Sequence, residues 1–341
     1  MLITSITPLR VSFLGGGSDY TEFFTNNDFG FVFGTTVDLF IYTSAIRNST
    51  LSGHKFKISY RELDECNEIK DIRHPVIRAV LDSVGWEGNG LHISTMADVP
   101  AGTGLGSSSS FTVGFINLIH KLRGNNAPLE EIVTQAINIE RNVLNESGGI
   151  QDQYHATFGG LSSYQFSSGG TKIETINDDK KTNVLSNSMF LVSVGAPRNS
   201  HSEASKWLQT SKSKKLEVEN LRSLAIQNFE EFKQASSGEH ALTILGEGMN
   251  ESWEIKRRLS NFGSKTTNES MVDNVILRGK KAGALAGKLC GAGVSGFVLF
   301  LVDESAQDRF QKEFKSEVIR KIRVEKSGTR LENYSNWEKK Y

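Results

Sequence analysis

The chain of 341 residues contains only two cysteines, Cys66 and Cys290, which lie far apart and outside any CxxC spacing. This scarcity argues against a disulfide framework and against a zinc site. A reducing compartment suits such a chain, so we expect the protein to be cytoplasmic.

The sequence also lacks an excess of either charge, because 39 Lys and Arg residues balance 39 Asp and Glu residues. No overall positive field therefore attracts nucleic acid or acidic membranes. Long apolar runs are absent as well: "GFVLFLV" at 296–302 is too short to cross a bilayer, and "MLITSITPLR" has no basic start typical of an export signal. We expect neither nucleic acid nor a membrane as a partner.

The length of the chain indicates two domains that share a cleft, because it exceeds the usual length of a domain with a single hydrophobic core. "FVFGTTVDLFIYTSAI", "GLHISTMADV" and "MFLVSVG" read as strands, whereas "HPVIRAVLDSVG" and the segments after Ser107 and Pro128 read as helices. A boundary near residue 185 predicts domains at 1–185 and 186–341.

The segment "PAGTGLGSSSS", residues 100–110, predicts an anion site between a strand and a helix. Glycines at 102, 104 and 106 let the backbone approach a ligand, and the first helical amides have no partner within the helix. The loop differs from a Walker A loop, because Ser107 stands where that motif has lysine. A glycine-rich turn capped by serine is the alternative, but four serines in a row favour phosphate.

A buried carboxylate is predicted at Glu140, which falls on the apolar stripe of "APLEEIVTQAINIERNVL", while Arg141 is expected to point away. A helix terminus contributes only about 0.3–1 kcal/mol toward an anion, so a triphosphate needs further positive charge. Mg²⁺ bound by a hydroxyl and a carboxylate would supply it. The alternative partner for Glu140 is an arginine or lysine at a packed edge.

A second acidic candidate is Asp152 in "GGIQDQYHATFGG", expected in a glycine-bounded turn. There it would orient or deprotonate a substrate hydroxyl, unless its side chain merely caps its own loop.

Two further glycine loops flank the chain. "PLRVSFLGGGSDY" is a strand containing Arg10 that breaks at residues 15–17, and "KLCGAGVSGF" sets glycines at 291, 293 and 296 between an expected helix and a strand. Each loop alone is also compatible with a tight connection that binds nothing.

Taken in order, the three loops resemble the three motifs of the GHMP kinases, the family of galactokinase, homoserine kinase, mevalonate kinase and phosphomevalonate kinase. The resemblance implies an α+β protein with a ribosomal-protein-S5-like N-terminal domain and a ferredoxin-like C-terminal domain. ATP and substrate would meet between the two.

The resemblance also implies roles for individual residues. Ser108 and Glu140 would bind Mg²⁺, Asp152 would face the acceptor hydroxyl, and Arg10 would lie near the transferred phosphoryl group. The triphosphate would be bound by Gly102, Thr103, Gly104, Leu105, Gly106, Ser107, Ser108, Ser109 and Ser110. The acceptor would contact Gly16, Gly17, Ser18, Asp19 and Gly293.

Within the family, "RHPVIRAVL", "MADVPAGTGLGSSSSFTVGF" and "IQDQYHATFGG" are similar to the kinases that phosphorylate the anomeric hydroxyl of D-glycero-D-manno-heptose 7-phosphate. Galactokinases have a Glu-His pair where this chain has Gly16 and Gly17, which leaves room for an anionic sugar. Arg198 and His201 would supply cations for the sugar phosphate, or else begin a solvated helix. A galactose- or fucose-type kinase and a non-catalytic sensor remain alternatives, as do a monomer and a homodimer.

Overall fold

The computed structural model describes residues 2–47, 53–88, 90–195, 214–259, 267–291 and 295–334. Within them, two β-sheets carry helices packed against their faces, which confirms the α+β class.

The first sheet is organised by one long strand, β2, which is rich in the β-branched and aromatic residues that favour strands. β2 pairs antiparallel with β1 along most of its length, its first half pairs with β6 and its second half pairs with β5. The strand order is β12-β1-β2-β5-β3-β4, with β7 on the outer side of β6. The strands are β1 (Leu2–Leu14), β2 (Gly30–Arg47), β3 (Phe56–Ser59), β4 (Leu63–Cys66), β5 (Leu91–Ala97), β6 (Leu161–Ser167), β7 (Gly170–Thr175) and β12 (Arg330–Asn333).

The second sheet has four antiparallel strands in the order β11-β8-β10-β9. Numbered along the chain this order is 4-1-3-2, the ferredoxin-like arrangement that the family resemblance implies. The strands are β8 (Met189–Val194), β9 (Ala284–Leu289), β10 (Gly296–Val302) and β11 (Ile319–Lys321).

Helices cover both sheets. The one at Ser107–Leu122 packs on β1 and β2, and the long one at Gly238–Leu259 packs on β9. The helices are α1 (Thr21–Phe24), α2 (Pro75–Ser83), α3 (Ser107–Leu122), α4 (Leu129–Ile137), α5 (Gln151–Phe158), α6 (Asp179–Ser188), α7 (Lys215–Gln234), α8 (Gly238–Leu259), α9 (Thr267–Lys281) and α10 (Gln307–Glu313). Short 3₁₀ turns lie at Ile69–Asp71 and Glu304–Ala306, and a π-helical turn at Asn138–Val143.

The predicted starts of α3 and α4 and the predicted strand β8 are confirmed. Two local predictions are wrong. Asp152 lies in the first turn of α5 rather than in an irregular turn, and the loop around Gly291 joins strands β9 and β10 rather than a helix and a strand.

The domain boundary at 185/186 stays a prediction. α6 spans it, and β8 directly after α6 is the first strand of the second sheet. The chain later returns, because β12 pairs with β1 in the first sheet.

Among the described residues, no helix combines the length and the apolar character that a membrane crossing requires.

Candidate active site

A cavity of about 770 Å³ is lined by residues of both sheets. All three glycine loops reach it, with Gly16 from the first, Gly104 and Gly106 from the second and Gly291 from the third. The sequence predicted that these loops act together, and the structure brings them to one place.

The second loop, residues 102–109, is called the glycine–serine loop below. Gly102, Gly104 and Gly106 have φ of +77°, +80° and +75°, a region that residues with a side chain adopt only under strain. A Cβ on Gly104 would stand 2.5 Å from the carbonyl oxygen of Cys290, so the loop packs directly on the connection between β9 and β10. Glycine is therefore required at residue 104 by conformation and by space.

Six of the nine predicted nucleotide-binding residues line the cavity, namely Gly102, Gly104, Gly106, Ser107, Ser108 and Ser109. Three do not. Leu105 is fully buried, the Thr103 hydroxyl donates to the Pro100 carbonyl at 3.1 Å, and the Ser110 hydroxyl donates to the Pro8 carbonyl at 2.8 Å. Their side chains fix the loop to its surroundings, so a contact of these three residues with the triphosphate stays a prediction for their backbone atoms.

Glu140 is buried, as predicted, within the π-helical turn that follows α4. Its Oε2 accepts hydrogen bonds from the Ser109 hydroxyl at 2.8 Å and from the amide of Gln153, whereas its Oε1 is buried with no hydrogen-bond partner. Burial raises the pKa of Glu140, and the nearby Arg141 guanidinium opposes that shift. An unpartnered buried carboxylate oxygen beside serine hydroxyls is a donor set that fits a hard cation such as Mg²⁺.

Two details around Glu140 differ from the sequence interpretation. The hydroxyl that meets Glu140 belongs to Ser109, whereas Ser108 is exposed toward the cavity. Arg141 does not point away, because its Nη2 lies 3.6 Å from Glu140 Oε2. The π-helical turn explains this, because it has more residues per turn than an α-helix and so places Arg141 differently from what the α-helical period predicts.

Arg10 and Asp152 form a close pair on the cavity wall. Arg10 Nε and Nη2 donate to Asp152 Oδ1 and Oδ2 at 2.8 Å each, and Arg10 Nη1 donates to the Gly104 carbonyl at 2.6 Å. Asp152 Oδ2 lies 3.3 Å from the point that a Cβ on Gly106 would occupy. Arg10 thus holds the Asp152 carboxylate against the glycine–serine loop. The spacing of these residues in the sequence did not indicate this contact.

The first glycine loop contributes Gly16, Gly17 and Asp19 to the cavity. Asp19 accepts hydrogen bonds from the Gly17 amide at 2.8 Å and from Gln151 Nε2 at 2.9 Å, and burial raises its pKa. Ser18 does not face the cavity. Its hydroxyl is fully buried and bonds to the Gly15 and Phe31 carbonyls, so Ser18 stabilises the loop rather than contacting a substrate.

Two lysines of the cavity wall were missed from the sequence. Lys256 is on α8, and Lys288 on β9 donates to the Ser12 and Phe13 carbonyls at 2.9 and 2.6 Å. The signal that identified Glu140 was present for Lys288, whose charge is buried in an otherwise apolar strand. Lys256 is half-buried on a helix with many polar residues, so its sequence position carried no such signal.

The far end of the cavity is aromatic. His74 packs with its ring centroid 4.9 Å from that of Tyr60 and 4.9 Å from that of Phe111, and all three residues line the cavity. The aromatic end could not be located from the sequence, because its members come from three separate segments. Arg198, His201 and Gly293, also predicted at the site, lie outside the described residues.

Comparison with known proteins identifies the family of this chain. The family models "GHMP kinases N terminal domain" and "GHMP kinases C terminal" match residues 70–160 and 218–320. The D-glycero-alpha-D-manno-heptose 7-phosphate kinase of Campylobacter jejuni is 30% identical over 334 residues, covering 92% of this chain and 94% of that protein.

Two further matches are more distant. The galactokinase of Clostridium beijerinckii is 24% identical over 280 residues, 70% of this chain and 68% of that protein. The crystal structure of a D-glycero-D-manno-heptose 1-phosphate kinase from Bacteroides thetaiotaomicron superposes with a TM-score of 0.76 at 21% identity, covering 98% of this chain and 100% of that one.

Two domains of this fold, matched by both family models and by a heptose phosphate kinase along most of the chain, define an ATP-dependent small-molecule kinase. The chain belongs to the GHMP kinase family.

Proposed function

We propose that this protein transfers the γ-phosphoryl group of ATP, with Mg²⁺, to the anomeric hydroxyl of D-glycero-D-manno-heptose 7-phosphate. The observation that carries the proposal is the position of Asp152. Its carboxylate is fixed by Arg10 beside Gly106 of the glycine–serine loop, where an acceptor hydroxyl would meet a bound phosphate.

The nucleotide half of the proposal rests on the glycine–serine loop and the aromatic end of the cavity. Amides of the loop and of the start of α3 would bind the phosphates, and the Tyr60, His74 and Phe111 end would accept the adenine. Glu140, with the Ser108 and Ser109 hydroxyls, would hold Mg²⁺, which neutralises phosphate charge when bound.

The phosphoryl transfer depends mainly on how the protein positions ATP and the acceptor hydroxyl. The acceptor oxygen forms a bond to the γ-phosphorus, the bond from that phosphorus to the bridging oxygen breaks, and ADP leaves. Asp152 orients the acceptor hydroxyl and receives its proton, while Arg10 holds the Asp152 carboxylate in place.

The substrate class rests on the relatives and on the first glycine loop. The C. jejuni relative is named as a heptose 7-phosphate kinase and covers nearly the whole chain. Gly16 and Gly17, which stand where galactokinases have a Glu-His pair, line the cavity next to Asp19 and leave space for a larger, anionic sugar.

The test is Asp152→Asn assayed by ADP release with D-glycero-D-manno-heptose 7-phosphate, galactose, fucose and mevalonate as acceptors. The wild type is expected to turn over the heptose phosphate, and Asp152→Asn is expected to lower kcat by about 10²–10⁴-fold because a carboxamide cannot accept the proton. The affinity for ATP should change little, since Asp152 does not contribute to the nucleotide end.

Asp82→Asn provides the matched control, because Asp82 is an exposed carboxylate on α2 away from the cavity. Near-normal turnover by Asp152→Asn would refute the role of Asp152. A wild type that acts on galactose and ignores the heptose phosphate would refute the substrate.

A further inference from the structure

Arg141 holds both ends of the segment that leads from the π-helical turn to α5, residues 146–149. Its Nη1 donates to the Glu146 carbonyl at 2.9 Å, and its Nη2 donates to the Gly149 carbonyl at 2.8 Å. The same Nη2 lies 3.6 Å from Glu140 Oε2. A planar guanidinium carries several N–H donors in a fixed geometry, so one arginine can bind two carbonyls and face a carboxylate. Arg141 therefore connects the candidate Mg²⁺ ligand to residues 146–149, called the entry segment below.

The entry segment belongs to neither a helix nor a strand, so side chains must supply much of what holds its backbone. Arg141 does this at close range, because a Cβ built on Gly148 would lie 3.0 Å from both of its Nη atoms. Gly148 also has φ of +156°, a conformation that favours glycine. Since residue 148 carries no side chain, the guanidinium can lie against the backbone and reach a carbonyl on either side.

The entry segment leads into α5, which carries Asp152 in its first turn. Ile150, the residue before α5, has an apolar side chain that cannot cap the helix, and its amide donates to the Asp19 carbonyl at 3.1 Å. A Cβ on Gly149 would stand 1.8 Å from Asp19 Oδ2, so the backbone packs directly on that carboxylate. The start of α5 is thus held by Asp19 and by Arg141.

The entry segment is also part of the cavity wall. All four of its residues line the cavity, together with Arg141, Glu140 and Asp152. A shift of the segment would therefore change the wall and move the first turn of α5. A displacement of about 1 Å in a group that must meet the substrate can lower the rate by about 10²-fold. A residue that only holds the segment can for this reason control turnover.

We infer that Arg141 is a positioning residue for phosphoryl transfer. Through the carbonyls of Glu146 and Gly149 it fixes the start of α5, and thereby the place of the Asp152 carboxylate. The inference rests on the proposed function, to which it adds a residue that acts through Asp152. The competing roles for Arg141 are direct contact with a phosphate group of a substrate and support of Glu140 alone.

The first measurement is the ADP-release kinetics of Arg141→Ala with D-glycero-D-manno-heptose 7-phosphate, together with the Kd for Mg·ATP without acceptor. Arg141→Ala should lower kcat by about 10²-fold, the effect of a displacement of about 1 Å. The Kd for Mg·ATP should stay near that of the wild type, because Arg141 donates to the entry segment and not to the glycine–serine loop. Arg141→Lys keeps the charge but has one nitrogen in place of the fork, so it should not restore kcat fully.

Gly148→Ala disturbs the same contact and leaves the guanidinium in the protein. Its methyl group would meet both Nη atoms of Arg141, whereas Gly88→Ala, at a similar φ of +148°, meets open space and is the matched control. Gly148→Ala should lower kcat, and Gly88→Ala should not. The loss caused by Gly148→Ala should be smaller in the Arg141→Ala background than in the wild type, because changes that act through one contact are not additive.

Hydrogen–deuterium exchange gives a readout that needs no turnover. The amide of Glu146 donates to the Glu140 carbonyl, and the amides of Ile150 and Gln151 donate to Asp19. These amides should exchange faster in Arg141→Ala, since the segment that carries them loses its support, while those of α3 should not change.

The outcomes separate the positioning role from its rivals and from the proposed function. A wild type that does not act on the heptose phosphate contradicts the proposed function, and the exchange comparison then still decides whether Arg141 holds the entry segment. Unchanged exchange, wild-type kcat in Arg141→Ala or Arg141→Lys, or fully additive losses with Gly148→Ala would overturn the positioning role. A weaker affinity for either substrate at unchanged kcat overturns it in favour of direct contact, and full recovery of turnover at higher Mg²⁺ overturns it in favour of Glu140.

Discussion

At the scale of single residues, buried charge marks this site. Glu140 and Lys288 are buried among apolar neighbours, Lys256 is half-buried, and all three line the cavity. Glu140 could be predicted because its helical stripe was long enough to define the expected face. Ser18 could not be assigned correctly, because its sequence position beside Asp19 says nothing about which of the two side chains turns away from the cavity.

Burial of the ionised Glu140 carboxylate lowers the stability of the folded protein, and a neutral side chain at this position would not have this effect. Burial raises its pKa in the folded state, so the folded protein holds a proton more tightly than the unfolded chain does. The contribution of this group to stability therefore falls as pH rises from about 4.5 through the raised pKa. Glu140→Gln should be more thermostable than the wild type at pH 8 without ligand, and the difference should shrink toward pH 4.5.

The same substitution should lower turnover with Mg·ATP by about 100-fold or more, because the amide is a poor cation ligand. Differential scanning fluorimetry and ADP release measure the two effects. Glu130→Gln, at an exposed position of α4, is the control and should change neither. A Glu140→Gln protein that is less stable at pH 8 would contradict the argument.

At the scale of elements, the sequence predicted where β2, α2, α3 and β8 lie, because each shows a strong period or clear start and stop residues. The π-helical turn after α4 was not predictable. Its backbone hydrogen bonds span five residues where those of an α-helix span four, and no residue type specifies this difference. The hairpin of β9 and β10 was likewise missed, since the period of "ALAGKL" is too short to separate strand from helix.

The packing of the glycine–serine loop on the β9–β10 connection can be tested by substituting Gly104, with the same substitution at Gly124 as the control. Gly104 and Gly124 have similar φ, +80° and +86°, but a Cβ would meet Cys290 backbone atoms at Gly104 and open space at Gly124. Gly124→Ala should cost only the backbone strain, about 1–2 kcal/mol. Gly104→Ala should cost more and should also raise KM for ATP, since the loop must shift.

Urea unfolding and ATP kinetics on the two variants check this prediction. If Gly104→Ala and Gly124→Ala are destabilised equally, and Gly104→Ala keeps the wild-type KM for ATP, then the contact with Cys290 does not constrain the loop.

At the scale of the whole molecule, Lys288 links the second sheet to the first. It is almost fully buried on β9 and donates to the Ser12 and Phe13 carbonyls, beside an irregularity in the pairing of β1 with β2. Neither strand by itself indicates this link, because it depends on how the sheets are assembled. Both protonation states of the amine retain enough N–H donors for two carbonyls.

Burial, with the nearby positive charge of Lys256, lowers the pKa of Lys288 well below its ordinary value. The unfolded chain then binds more protons than the folded protein between the lowered pKa and about 10.4, so this residue makes stability rise with pH across that window. Lys288→Met should lack this contribution, and the stability advantage of the wild type should grow between pH 7 and pH 9.5 in urea unfolding. Parallel pH profiles for the two proteins would contradict the assignment.

The return of β12 to the first sheet has a consequence for biosynthesis. Residues Arg330–Asn333 pair with Ile3–Ile6, so the second partner of β1, on the edge away from β2, emerges from the ribosome only after all the other strands of both sheets have been translated. At about 5–20 residues per second, β1 waits roughly 15 to 60 s with that edge uncovered. Until β12 has been made, a nascent chain of this protein therefore presents an uncovered strand edge that is open to pairing with neighbouring chains.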